Sequence, residues 1–234
     1  MSFSQSIINT YFDRIFIINL KHRTDRWSKM IQKLEKYGIT NYERFDAIDP
    51  KNPPYNKLYG NLPFFFESKG ALGVLLSAFM IIKTAKVRGY KSILIFEDDV
   101  IFHKTFNKIF TDRISKIPNK WKLLFLGCSM HKWRYSERCK IVNDFYYPRG
   151  SIPGAFALAI HSSAYDTLLG QLTQIRGAWD MYVLKYVNTI FRDQCLVFKP
   201  NIVIADPTDS NIRAGKSMKY KASTCNWNLK EYDI

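Results

Sequence analysis

Cysteine, glycine and proline are all scarce in this chain of 234 residues, which contains 4, 11 and 9 of them. No CxxC pair and no Cys/His spacing of a zinc site occurs, so the cysteines are interpreted as free thiols in a reducing compartment. The low glycine and proline content excludes a collagen-like or linker-dominated chain. With 47% hydrophobic residues, the sequence is instead typical of a folded domain with a substantial core.

Long hydrophobic segments are also lacking. The first six residues, MSFSQS, have neither the basic residues nor the apolar stretch of a signal peptide. The most apolar run, residues 70–82, is shorter than the roughly 20 residues needed to cross a bilayer. We therefore expect a soluble, cytoplasmic protein.

Acidic residues are few relative to basic ones. The chain has 20 Asp and Glu against 35 Lys and Arg, a formal net charge of +15. Such a charge favours anionic partners. The basic residues are dispersed, however, and the densest stretches, 21–26 and 216–221, are short. We therefore expect no specific nucleic-acid partner, while peripheral contact with a membrane surface through the basic charge stays open.

Short apolar runs alternate with amphipathic segments along the chain. Strands are predicted at 14–19, 42–47, 92–96, 122–126, 155–160, 196–198 and 202–205. One helix is predicted after Thr24 as its N-cap, ending at Gly38, and a second over 69–88; a loop rich in proline and asparagine, 50–63, precedes it. This alternation predicts a single α/β domain whose sheet is parallel at least in its first half.

Polar residues collect where three of the predicted strands end. These clusters are Asn19 to Arg26, Asp46 to Asp49, and the consecutive carboxylates Glu97 to Asp99. In a parallel sheet the three clusters share the edge where ligands bind. Clustered carboxylates are costly without a cation, and Mg²⁺ or Mn²⁺ prefers oxygen ligands and often joins carboxylates to phosphates. Alternation along the strand puts Glu97 and Asp99 on one side; the simpler alternative is a solvated acidic turn.

The motifs in these clusters resemble those of glycosyltransferase family 25. The resemblance rests on IINL at 17–20 with Asp25-Arg26, FDAID at 45–49, GALG at 70–73 with Leu76-Ser77, and LIFEDDV at 94–100. Weaker matches follow at 121–127, 154–160, Trp179-Asp180 and 210–213. The order of these motifs is more specific than any one of them.

The resemblance implies a GT-A fold, a Rossmann-like mixed sheet that is mostly parallel in its N-terminal half. It also implies a UDP-sugar donor, a Mn²⁺ or Mg²⁺ cofactor and inversion at the anomeric carbon. Residues 1–130 would then be the nucleotide-sugar-binding half and 131–234 the acceptor-side half. Glu97 and Asp99 would hold the metal. The donor-binding positions would be Asn19, Arg23, Arg26, Asp46, Gly70, Gly73, Ser77 and Asp98.

Asp180 occupies the position of an acidic residue of the family and is the candidate general base, the alternative being a helix N-cap. No histidine follows His161, so a late histidine metal ligand is lacking, and Asp206 or Asp209 could replace it. The expected reaction moves a hexose of galactose or glucose type to a hydroxyl of a glycan or protein acceptor.

The sequence departs from the family in its second motif. Ala71, Val74 and Ala78 stand where Glu, Cys and His are usual. This departure keeps open a weakened transferase fold that binds anionic glycans or nucleic acid. A metal-dependent nucleotidyltransferase, which would release pyrophosphate, is a third interpretation.

Overall fold

A mixed sheet runs through the computed structural model, which describes residues 6–59, 68–129, 139–142, 144–208, 215 and 217–234. The strands are β1 Arg14–Asn19, β2 Tyr42–Asp46, β3 Ser92–Glu97, β4 Val100–Phe102, β5 Leu123–Phe125, β6 Cys139–Val142, β7 Phe145–Pro148, β8 Ala157–His161, β9 Cys195–Phe198 and β10 Val203–Ala205. The helices are α1 Ile8–Tyr11, α2 Thr24–Lys36, α3 Asn56–Tyr59, α4 Lys69–Val87, α5 Phe106–Ile114, α6 Tyr165–Leu172, α7 Val183–Ile190 and α8 Met218–Cys225.

Eight strands form the main sheet in the order β2-β1-β3-β8-β5-β9-β7-β6, and β4 pairs with β10 in a separate two-stranded ribbon. β1 is parallel to both β2 and β3. β8 is antiparallel to β3 and β5, and β5 is parallel to β9. The predicted fold class, a Rossmann-like mixed sheet that is parallel in its N-terminal half, is confirmed. The division at residue 130 stays a prediction.

Helices cover both faces of the sheet because its central strands are apolar on both sides. Alternate β1 residues face opposite layers: Ile17 packs in one core cluster with Met30 of α2, and Phe16 in the other with Leu72 of α4. This double burial explains why β1 and β3 are continuous apolar runs.

α4 is a long and strongly apolar helix. By length and composition alone it could cross a membrane, with a mean hydropathy of 1.6 over its most apolar 18 residues. However, 56% of that window is buried inside the fold, where Leu75, Ile81 and Ile82 pack against the sheet layer. The apolar character of α4 is thus matched by its position in the core.

Several boundaries differ from the predicted ones. Thr24 is the first residue of α2 rather than its N-cap, which is Arg23 and makes no side-chain cap. α3 interrupts the loop predicted at 50–63. α5 to α8, β6 and β7 were not predicted, since their apolar residues are sparse or their segments short. Three cysteines, 128, 195 and 225, are buried free thiols; the side chain of Cys139 lies outside the described residues.

Candidate functional site

The three strand ends meet at one edge of the sheet, as expected. Asn19 at the end of β1 is in register with Asp46 of β2, and its neighbour Ile18 is in register with Glu97 of β3. β3 ends at Glu97, and Asp98 and Asp99 form the turn into β4. We call the segment Glu97–Asp99 the acidic turn.

Asp98 is the anchored member of the acidic turn. Asn19 Nδ2 donates to Asp98 Oδ2 at 2.6 Å, and the Arg26 guanidinium donates to Asp98 Oδ1 at 2.8 Å. The side chain is only 8% exposed, so its charge depends on these donors. Arg44 in turn donates to Asn19 Oδ1 at 2.6 Å and lies 4.9 Å from the centre of the Trp27 ring. Asp98 is therefore fixed by donors within the protein.

Glu97 and Asp99 are compensated less completely than Asp98. Burial raises the pKa of Asp99 to about 7; the charges of Asp98 and Asp206 act in the same direction, and the Arg26 charge opposes them. The nearest Arg26 nitrogen is 3.7 Å from Asp99 Oδ2, and within the described residues Asp99 Oδ1 is buried without a hydrogen-bond partner. Burial, followed by the charge of Asp99, raises the pKa of Glu97 well above its usual range. For both carboxyls burial outweighs the lowering effect of the Arg26 charge, to which Lys33 adds at Asp99.

A cavity of about 230 Å³ opens beside the acidic turn. Apolar residues from the ends of β1 and β2 line part of it, among them Ile18, Ala47 and Ile48. The first turn of α4 lines another part, where a helix N-terminus carries partial positive charge. The predicted site residues that line the cavity are Arg26, Gly70, Gly73, Ser77, Glu97, Asp98 and Asp99.

Gly73 and Ser77 fix one wall of this cavity. The Ser77 hydroxyl, which is fully buried, donates to Gly73 O at 2.7 Å and accepts from Ile48 N at 2.9 Å. A Cβ on Gly73 would lie 2.6 Å from Ile48 O, so only glycine allows α4 to approach the loop after β2 this closely. These contacts hold the loop in place against α4.

Asp180 lies near Glu97, and the charge of Asp180 helps to raise the pKa of Glu97. Its Oδ2 accepts from Gly154 N at 2.9 Å, and Gly154 has a φ of +83°. α7 begins three residues later with Tyr182 as its N-cap, so the N-cap alternative for Asp180 is wrong. Glu97 and Asp180 are thus close enough to interact although they lie 83 residues apart in sequence.

Three predicted donor-binding residues lie outside the cavity lining. Asn19 is buried behind Asp98. Arg23 pairs with Asp25 through two hydrogen bonds of 2.8 and 2.9 Å. The side chain of Asp46 is 60% exposed at the end of β2. Contact of these residues with a donor stays a prediction.

Sequence reasoning missed several residues of the site. Arg44 is one, since nothing in the sequence indicates its bond to Asn19. Lys33 is another: its ammonium donates to Val100 O at 2.7 Å, directly after the acidic turn. Lys51 and Lys69 add positive charge to the cavity lining. All four depend on contacts between elements, which periodicity does not report.

Within the residues that the structure describes, the acidic turn supplies the candidate cation ligands that line the cavity. Among the described residues, no three His, Cys, Asp or Glu side chains are grouped to hold a metal ion. Glu97 and Asp99 remain, with a buried oxygen of Asp99 that lacks a partner. Two carboxylates fit a Mg²⁺-type ion that takes its other ligands from phosphates and water. Asp206 lies nearby, its N–H donating to Asp99 O at 2.9 Å, and Asp209 lies outside the described residues.

Comparison with known proteins decides the family. The model of "Glycosyltransferase family 25 (LPS biosynthesis protein)" matches residues 12–152, more than half of the chain. The chain belongs to glycosyltransferase family 25. The resemblance read from the sequence motifs is thereby confirmed.

Relatives of this family 25 chain carry two kinds of name. Procollagen galactosyltransferase 1-A of Xenopus laevis is 28% identical over 184 residues, 71% of this chain and 27% of the relative. The human inactive glycosyltransferase 25 family member 3 is 29% identical over 133 residues, 50% of this chain and 22% of the relative. The family 25 chain therefore spans about a quarter of the length of such relatives.

A solved glycosyltransferase involved in the glycosylation of the major capsid of PBCV-1 is 14% identical to the family 25 chain. The match covers 91% of this chain and 98% of that one, with a TM-score of 0.48. The family assignment rests on the sequence matches and gains nothing from this likeness.

The three departures from the family 25 motif lie on α4. Ala71 is 7% exposed and Ala78 is fully buried in the core cluster beneath α4. Only Val74 lines the cavity. Two of the three substitutions thus exchange polar for small apolar side chains in the core. The matches at 210–213 lie outside the described residues.

Proposed function

We propose that this chain is a metal-dependent, inverting glycosyltransferase that moves a hexose of galactose or glucose type from a UDP-sugar to a hydroxyl of a glycan or protein acceptor. The observation that carries the proposal is the pair of partly buried carboxyls with raised pKa, Glu97 and Asp99, beside a cavity lined by the N-terminus of α4. Such an arrangement suits a divalent cation and a diphosphate together.

Glu97 and Asp99 would hold the cation, Mn²⁺ or Mg²⁺, which when bound supplies a Lewis acid for the charge that develops on the leaving diphosphate. Asp98 keeps the turn in place through Asn19 and Arg26. The first turn of α4, with Lys69, offers backbone N–H groups and positive charge to the same phosphates.

The apolar lining near Ile18 and Ile48 suits a flat base, and the Ser77 hydroxyl fixes that wall through its bond to Ile48 N. Asp180 is the proposed general base. Gly154 N–H donates to one of its oxygens and so fixes the carboxylate. The carboxylate would take the proton of the acceptor hydroxyl as that hydroxyl attacks. Attack from the side opposite the leaving diphosphate inverts the anomeric carbon.

The first experiment is a thermal-shift titration with UDP, GDP and CMP, each with and without Mn²⁺. A ligand that binds only the folded state raises the melting temperature by mass action. We expect a shift that requires UDP and Mn²⁺ together and disappears in Asp99→Ala. Asp166→Asn is the matched control, because Asp166 is exposed on α6, outside the cavity lining. Unchanged UDP affinity with Mn²⁺ in Asp99→Ala would refute the metal assignment.

Transfer is tested separately with UDP-galactose and UDP-glucose and an array of glycan and peptide acceptors. NMR of the product reports whether the anomeric configuration has inverted. Asp180→Asn should keep the thermal shift with UDP and Mn²⁺ and lose transfer. Release of UDP supports hexose transfer, whereas release of pyrophosphate would support a nucleotidyltransferase instead.

A catalytically weakened fold that binds anionic glycans or nucleic acid is the second candidate. Two observations favour it: the apolar Ala71 and Ala78 in the second motif, and the human relative that is named inactive. Such a module would bind with an affinity that falls steeply with salt, and it would show no turnover and no thermal shift with nucleotides.

A further inference from the structure

A second concave surface lies between the end of α6 and the outer side of α7, with a volume of about 260 Å³. We call it the basic groove. Its polar and aromatic lining consists of Gln171, Arg176, Tyr182, Lys185, Tyr186 and Thr189. No carboxylate from the part of the chain that the structure describes lines it. The groove therefore differs in charge from the cavity beside the acidic turn.

The topology puts one end of the basic groove, at Arg176 and Tyr182, near the edge of the sheet where the acidic turn lies. β8 is antiparallel to β3, so α6, which follows β8, runs back toward the edge where β3 ends. The connection at 173–182 crosses that edge and carries Asp180. α7 then returns across the sheet, because β9 is parallel to β5. Tyr182 in the groove is two residues from Asp180.

The cations of the groove are available to a ligand. Arg176 and Lys185 are both exposed, and within the described part of the chain neither forms an ion pair. Most other cations near the site are engaged, as Arg26 and Arg23 are by Asp98 and Asp25. An arginine and a lysine without carboxylate partners match a phosphate group, which arginine binds through two parallel N–H bonds.

The aromatic rings of the groove offer a flat apolar surface beside these charges. Tyr182 is 40% exposed and Tyr186, one helical turn later, 44%. Exposed tyrosines combine an apolar ring with a polar tip at small entropic cost, as is common in binding surfaces. A pyranose ring has one largely apolar face that such a ring can cover. The groove thus combines the two contacts that a charged sugar requires.

The segment that carries Arg176 is held in a strained conformation. Ile175 has a φ of +44°, a region that β-branched residues rarely adopt. Gly177 packs so closely on the Tyr182 ring that a Cβ would lie 2.4 Å from it. Backbone strain of this kind persists where the surroundings fix it and often occurs at ligand-binding segments. Here it holds Arg176 beside the tyrosines.

We propose that the basic groove is the acceptor subsite and that it binds a phosphorylated saccharide, with Arg176 and Lys185 on the phosphate and Tyr186 on the sugar ring. The role as acceptor subsite rests on the proposed function, in which Asp180 takes the proton of the acceptor hydroxyl. The binding of a sugar phosphate does not depend on the donor. The two can therefore fail separately.

The test is calorimetric titration of the full chain with glucose 6-phosphate, glucuronate, methyl glucoside and inorganic phosphate, without nucleotide or metal. We expect glucose 6-phosphate to bind most tightly. Arg176→Gln/Lys185→Gln should weaken it by roughly tenfold or more. Tyr186→Ala should weaken it several-fold, and Tyr186→Phe should retain it.

Lys83→Gln/Lys120→Gln is the matched control, since it removes the same charge from two exposed lysines outside the groove. An equal loss in this control would overturn the proposal in favour of diffuse charge. Equal affinity for inorganic phosphate or glucuronate, or no binding of glucose 6-phosphate, would overturn it as well. A thermal shift with UDP and Mn²⁺ in the groove variant reports on the donor side independently. If wild type shows no such shift, the proposed function is refuted, whereas the binding of a sugar phosphate in the groove is not.

Discussion

The acidic turn and the basic groove differ in how their charges are compensated. In the acidic turn Asp98 is buried and receives hydrogen bonds from Asn19 and Arg26, and Glu97 and Asp99 are partly buried. In the groove Arg176 and Lys185 are exposed and are not paired within the described residues. Burial makes a charge costly without a fixed partner, whereas water compensates an exposed one. Variants in the two regions should therefore affect stability and binding in different proportions.

The largest effect is expected for Asp98→Ala. It leaves the buried Arg26 guanidinium without its main partner and removes the closer of two acceptors of Asn19 Nδ2, the other being Arg23 O at 3.1 Å. Removing one member of a buried pair typically costs about 3–5 kcal/mol. Urea denaturation should show this loss, while Asp25→Ala, which breaks the exposed pair with Arg23, should leave the midpoint nearly unchanged. Similar midpoints for the two variants would contradict the anchoring role of Asp98.

Asp99→Asn should have the opposite sign. The pKa of Asp99 is about 7 in the folded protein against an ordinary 3.8. The protonated carboxyl therefore contributes its full stabilisation to the fold below pH 3.8, and this stabilisation is lost as the pH rises through 7. Each pKa unit is worth about 1.4 kcal/mol. Without metal, the variant should therefore melt several degrees above wild type at pH 8, and the difference should vanish near pH 4. A difference independent of pH would show that Asp99 titrates normally.

Metal binding should depend on the same proton. Asp99 must be deprotonated to hold a cation. The Mn²⁺-dependent affinity for UDP should therefore weaken by up to about tenfold per pH unit below pH 7. Titrations between pH 5.5 and 8.5 would measure this. Constant affinity over that range would exclude Asp99 as a ligand.

Ser77→Ala tests the cavity wall. It removes the acceptor of Ile48 N, a loss of about 1–3 kcal/mol if that N–H stays buried and unpaired. UDP should also bind more weakly, because the loop after β2 loses its attachment to α4. Thr10→Ala is the control, since its hydroxyl makes an exposed bond to Ile7 O only. Full UDP affinity in Ser77→Ala would separate the wall from donor binding.

The smallest effect on stability is expected in the basic groove. Arg176→Gln/Lys185→Gln removes exposed charges and should change the free energy of unfolding by no more than about 0.5 kcal/mol. Denaturation alongside the calorimetry would verify this. A large loss of stability would mean that these residues support the fold as Asp98 does, which would remove the difference between the two regions.

Much of the donor side could be predicted from the sequence because its signals are local. The apolar runs that become β1 and β3 and the glycine at the end of α2 are visible in short windows, and the ends of those strands locate Asn19 and Glu97. The rest depends on long-range contacts. Neither the antiparallel direction of β8 nor the bond from Gly154 to Asp180 leaves a pattern in the sequence.

The role of individual site residues was harder to predict than their location. Arg26 was expected at the donor; it lines the cavity, and its guanidinium also donates to Asp98. Ser77 was expected there too; it lines the cavity, and its hydroxyl bonds to Gly73 and Ile48. In both residues the polar group satisfies a partner within the protein, and only packing reveals which partner that is.

The central place of β8 has a consequence for how the chain folds. β3 and β5 are separated by 25 residues in sequence, yet they are joined only through β8, which is made more than 30 residues after β5. Until β8 is inserted, both strands have open edges that can pair with other chains. Closing this gap requires non-local pairing, which is slow. Chaperone dependence and aggregation during synthesis should therefore be governed by residues 157–161, a strand that begins beside the acidic turn, where Glu97 N donates to Phe156 O at 2.9 Å.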